Sequence, residues 1–188
     1  MKITLFFCAF AALLFVQCGK SNDPFLIKQG AVGNLTDHTK MKQLDSLFSK
    51  DSLVKINSSP NALETQGEVE IFGKDGKKLL LLSPENETDP NSTITDIVVY
   101  DPRFKTEKGL SINSTFKDFT EQYTISDMQR IINGVLVFFA NSDIYLLFDS
   151  KYLTDEAKND PDLKLEAKHI QADAPIKYFR IGWTAESK

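Results

Sequence analysis

Apolar residues along this chain fall into three patterns, and each predicts a different kind of element. Residues 3–16 form a nearly continuous apolar run behind Lys2 that stops at Gln17-Cys18. It is too short to cross a hydrocarbon core of ~30 Å as a helix, so 1–17 reads as a signal peptide and not as a span. The second pattern recurs at helical spacing. Met41, Leu44, Leu47 and Phe48 predict a helix capped by Thr36 or Thr39, and Phe116, Phe119 and Tyr123 predict another capped by Ser114-Thr115. Asp127 to Ile132 predicts a further helical turn, stopped by Asn133-Gly134.

The third pattern is that of strands. Glu68 to Phe72 alternates, Lys74-Asp75-Gly76 turns, and Lys78 to Leu82 returns as the second arm of a hairpin. Thr93 to Tyr100 is rich in β-branched residues and predicts a third strand. Val135 to Phe139 and Ile144 to Phe148 flank Asn141-Ser142-Asp143 as another hairpin. The first of these arms is so continuously apolar that it is expected centrally in a sheet. Ile176 to Thr184 closes the pattern as a strand. Phe179, Ile181 and Trp183 share one of its faces, and Ile176, Tyr178 and Arg180 the other.

Single helices punctuating runs of strand, without β-α-β-α alternation, predict an α+β fold: antiparallel sheet of hairpins carrying short amphipathic helices. Gly19, Ser21, Asn22, Asp23 and Pro24 are breakers, so 18–29 reads as a tether, with the first ordered element near Gly33. Residues 30–188 then form a single α+β domain with submodules 30–100 and 101–188. Gly33 and Gly109 each stand six residues before a threonine, followed by apolar residues at helical spacing and then a hairpin. Two related helix-hairpin modules and a coincidence both account for this. Residues 150–174 are acidic and mixed, with room for one short helix.

Charged residues are 26% of the chain and apolar ones 41%, a globular balance. The net charge is −4, and Lys2 is the only charge in 1–17, so removal of that segment leaves −5. That balance disfavours a nucleic-acid partner, which would want a basic face. His38 and His169 lie far apart, outside any metal-ligand spacing, and are expected as surface polar residues. The run Asp155, Glu156, Asn159, Asp160, Asp162 lacks the glycine and the alternation of a calcium loop and reads as a solvated face. No nucleophile elbow, P-loop or dinucleotide fingerprint occurs. The expectation is a chain that is not an enzyme and takes no metal and no cofactor.

Phe15-Val16-Gln17-Cys18 resembles a bacterial lipoprotein signal of the looser kind found in Bacteroidota and spirochaetes; Gln17 stands where a small residue usually precedes the cysteine. The resemblance implies that Cys18 is diacylated and becomes the mature N-terminus, holding the chain to a membrane of the bacterial cell envelope. Cys8 then leaves with the signal and the lipid consumes Cys18, so the mature domain keeps no thiol for a disulfide, a nucleophile or a metal. Lys28 to Gly33, Leu44 to Phe48 and Asp101 to Leu110 are similar to segments of small uncharacterised Bacteroidota lipoproteins. Each glycine-helix-hairpin unit resembles the modules of BamE-type envelope lipoproteins. These likenesses imply a non-enzymatic binding or assembly module that contacts an envelope protein partner through a sheet edge or loops. The alternative is a carbohydrate-binding or carboxylate-based hydrolytic envelope protein, with Tyr178 and Trp183 as aromatic ligand contacts.

Asp101 to Gly109 concentrates charge around Pro102 and Phe104. We expect Phe104 to pack inward as a plug and Arg103 to pair with Asp101. An exposed Phe104 beside a concave surface would instead make Asp101, Arg103 and Phe104 a partner or ligand loop.

Overall fold

The computed structural model describes residues 23–56 and 67–183. The signal 1–17, Cys18 and the start of the tether lie outside the described residues, as does Thr184. The chain first builds β1 (Leu26–Lys28), β2 (Ala31–Val32) and β3 (Leu35–Thr36), then α1 (Leu44–Leu47) behind a single 3-10 turn. A meander follows: β4 (Ser52–Ile56), β5 (Glu68–Phe72), β6 (Lys78–Pro84) and β7 (Ile94–Val99). After β8 (Lys105–Thr106) and α2 (Phe116–Thr120) come β9 (Ile125–Ile131), β10 (Gly134–Phe139) and β11 (Ile144–Asp149). The short α3 (Asp155–Asn159) precedes β12 (Tyr178–Gly182).

Two sheets result. The small one has the order β3-β2-β1-β8, and the large one the order β4-β5-β6-β7-β12-β11-β10-β9, antiparallel throughout. The fold is strand-dominated with few short helices, α+β in broad class. One core runs through it. Val69, Ile71, Leu80, Leu82, Ile97 and Val99 continue into Val137, Leu146, Phe148, Phe179 and Ile181, and against them pack Ile27, Leu35, Leu44, Phe116 and Phe119. The alternation read from the sequence is thus the alternation of the sheet's buried face.

The sequence locates most strands well. Gly76 turns the β5–β6 hairpin at φ +74°, and the Gly73 amide donates to the Lys77 carbonyl at 2.9 Å. Thr115 caps α2 as expected: its hydroxyl accepts from the Asp118 amide at 3.3 Å, and the Asp118 carboxylate accepts from the Thr115 amide at 2.7 Å. The bond from the Thr115 amide first, and then the Thr115 side chain beside the carboxylate, hold the Asp118 carboxyl below its usual pKa.

Several expectations are corrected. Order begins before Gly33, because residues 26–28 of the supposed tether form β1, which pairs with both β2 and β8. Neither Thr36 nor Thr39 caps the first helix. Thr39 is buried, its hydroxyl accepts from the Thr36 amide, and the Gln43 side chain accepts from the Lys40 amide at the helix start. Asp127 to Ile132 is not helical: Ile125–Ile131 is an edge strand laddered on β10. Ile125, Met128 and Ile131 recur every third residue, and pairing with a strand that needs a second neighbour overrides that period. β10 therefore lies one strand in from the edge, away from the centre. The centre is the β7–β12 pair, in which Phe179 faces Val99 and Ile181 faces Ile97. Ser52–Ile56 adds an edge strand that no sequence pattern predicted, and 150–174 holds two 3-10 turns besides α3.

Candidate functional site

Two places gather chemistry-bearing side chains. The first is the loop after β7. Asp101 is buried, and it accepts from the Arg103 backbone amide at 2.8 Å, from Nε at 3.0 Å and from the guanidinium at 2.7 Å. Bonding to Arg103 outweighs desolvation and holds the Asp101 carboxyl below its usual value, while the same bonding raises Arg103. Phe104 is buried, with its ring edge-on to Phe25 at 5.0 Å, and the Arg103 guanidinium lies 4.4 Å from the Phe25 ring centre. Phe104 is a plug and Arg103 is paired, so this segment is chiefly structural, and the exposed partner loop of Asp101, Arg103 and Phe104 does not form. Arg103 and Phe104 also line a cleft of about 700 Å³, together with Pro24, Phe25, Phe48, Lys50, Lys74 and Leu79.

The second place is the outer face of the large sheet at its centre. Asp96 of β7 receives the Tyr145 hydroxyl and the Arg180 guanidinium, which approaches through Nε at 3.3 Å as well as through a closer terminal nitrogen. Burial first, and then the bond given to Asp96, push the Tyr145 phenol well above its usual pKa, so it stays a donor. Phe138 stacks on Tyr145 at 5.4 Å between centroids. Gly182 makes room for that tyrosine, since a Cβ there would meet its ring at 3.2 Å. A shallow hollow of about 550 Å³ lies between Asp96, Leu136, Phe138, Tyr145 and Arg180. Sequence reasoning missed Asp96, Phe138 and Tyr145. The available signal was parity: Asp96 and Arg180 are polar residues on the outward phase of otherwise apolar strands.

Tyr178 and Trp183 are not brought together. Tyr178 is exposed on the outer face, whereas Trp183 is buried on the inner one, so they cannot form one stacking platform. The odd offset between them on a strand requires this. Trp183 Nε1 has no hydrogen-bond partner among the described residues. His38 is exposed. His169, expected at the surface, is buried: its Nδ1 accepts from the Glu166 amide at 2.9 Å, and its Nε2 stands 3.8 Å from a Glu156 carboxylate oxygen. Burial wins because the segment around it folds back on α3, where Thr154 donates to the His169 carbonyl. Among the described residues, no cluster of three His, Cys, Asp or Glu side chains could hold a metal ion, and no helix is long and apolar enough to cross a membrane.

No protein-family model matches the chain, and no curated protein matches it in sequence. The crystal structure of the uncharacterized protein yfeY from Escherichia coli is similar, with a TM-score of 0.52 and 17% identity over 82% of this chain and 96% of that one. At that identity the likeness shows a shared fold and nothing further.

Proposed function

We propose that the chain is a lipid-anchored cell-envelope protein that works as a non-enzymatic binding or assembly module. The observation that carries the reading is the position of the cleft lined by Phe48, Leu79, Arg103 and Phe104. Pro24 and Phe25, at the start of the described residues, also line it, so a chain anchored through Cys18 would hold that cleft beside the membrane. Polar groups that elsewhere could do chemistry are engaged with one another: Arg103 with Asp101, Arg180 and Tyr145 with Asp96. The test is metabolic labelling with a palmitate analogue. Wild type should label and Cys18→Ala should not; equal labelling of both would defeat the anchor.

The carbohydrate alternative moves to the outer sheet face. An aromatic ring flanked by planar hydrogen-bonding groups suits a sugar, and Phe138 on Tyr145 beside Asp96 and Arg180 has that form. Duplication of a helix-and-meander unit is our reading of the two halves. Its support is that α1 leads into β4–β7 and α2 into β9–β12, with the last strands of the two runs meeting antiparallel at the centre. The parallel β1–β8 pair departs from that symmetry.

A further inference from the structure

We propose that the cleft between Pro24-Phe25, the end of α1, the β5–β6 turn and Arg103-Phe104 takes an acyl chain of an anionic membrane phospholipid. The proposal rests on the lipid-anchored reading above and names the ligand of that site. Three observations carry it.

The first is reach. Pro24 lies in the cleft wall and only six residues beyond Cys18, so even a fully extended connection holds the rim within about 20 Å of the acylated sulfur. No other described segment is tied as closely to the anchor. The second is the lining. Val32, Phe48, Leu79 and Phe104 form an apolar floor, and Phe25 and Leu47 stand half-buried at the mouth. The volume of about 700 Å³ lies within the ~300–1,000 Å³ range of small-molecule sites. The third is charge. The rim carries Lys50 and Lys74 against Asp51 and Asp75, and Arg103 beside them is already paired with Asp101. Asp75 already faces Lys77 at 3.6 Å, and Lys50 and Lys74 form no ion pair among the described residues. An apolar floor under these two lysines, held near a bilayer, matches a lipid tail under an anionic headgroup.

The probe is phosphatidylglycerol with a photoreactive group at the end of one acyl chain, mixed into phosphatidylethanolamine vesicles. The full acylated chain is reconstituted into them, and the adducts are mapped by peptide mass spectrometry. Adducts should fall on residues 24–51, 73–80 and 103–104. Lys50→Glu and Lys74→Glu, both at exposed positions, should each cut the yield about fivefold with phosphatidylglycerol and little with a phosphatidylcholine probe. Leu47→Gln at the mouth should lower both yields. Adducts elsewhere, or none while the chain stays vesicle-bound, would overturn the proposal. A Cys18→Ser chain in mixed micelles of the same lipids separates the two readings. Cleft labelling there supports the site even if wild-type Cys18 proves unacylated. Labelling there but not in the acylated chain would mean that the chain's own lipid fills the cleft, which overturns the phospholipid as occupant.

Discussion

The two halves of the large sheet bury their inner faces with different materials. Between β4 and β7 the buried side chains are aliphatic, Val69, Ile71, Leu80, Leu82 and Ile94, and α1 lays Leu44 on them. Between β9 and β12 the packing centres on one aromatic. The Phe119 ring of α2 meets Tyr123, Phe139 and Phe179 at 5.6 to 5.7 Å, and Phe116 meets Phe148 edge-on at 5.2 Å. An aliphatic layer spreads its stabilisation over many small contacts, while an aromatic cluster concentrates it in a few large side chains. The halves should therefore respond unequally to truncation of one helical residue.

Phe119→Ala should have the largest effect, a loss of about 3–5 kcal/mol in urea unfolding; below 1 kcal/mol, Phe119 would not be the centre of that half. Leu44→Ala in the aliphatic half should cost about 2–3 kcal/mol by the same measurement, and a loss matching that of Phe119→Ala would erase the contrast. Asp96→Ala breaks the seam between the halves. It leaves Arg180 and Tyr145 without their shared acceptor, for about 2 kcal/mol once the solvent-exposed third of Arg180 is discounted. A double-mutant cycle with Arg180→Ala reads the coupling itself. Arg103→Ala should cost least, about 1 kcal/mol, since half of that side chain is in water and its pair closes only a three-residue turn.

The last pair also gives a pH signature. Asp101 titrates below its ordinary value of 3.8 in the folded chain, so its contribution is present above that value and is lost as pH falls toward the folded one. Arg103→Ala should flatten the acid limb of the stability profile, whereas Asp118→Ala, acting through the α2 cap, should leave the Arg103-dependent part intact. Acid titration monitored by circular dichroism reads both.

What the sequence made legible was whatever a local period decides. The β5–β6 and β10–β11 hairpins, the strand after Thr93, the α2 cap and the inward Phe104 all follow from spacing and turn chemistry within a dozen residues. β9 is hidden because Asn133-Gly134 can end a helical turn as well as turn a hairpin, and only the demand of β10 for a neighbour settles the matter. β4 escaped because Ser52 to Ile56 does not alternate: its polar residues, Ser52 and Lys55, stand three apart and Val54 is exposed, as an edge strand allows. The Asp96–Tyr145–Arg180 cluster joins residues from three strands, and no local window contains them together.

The central position of β12 has a consequence for the chain as it is made. β7 and β11 lie on either side of β12, and both precede it in sequence, so until residues 178–182 emerge each presents a bare row of amides and carbonyls. β7 must wait for a partner some eighty residues downstream, across the whole of the second half. An incomplete chain is thus two sheets with adhesive inner edges, able to recruit strands from neighbouring copies. The strand that joins the two halves is also the one that covers both of those inner edges.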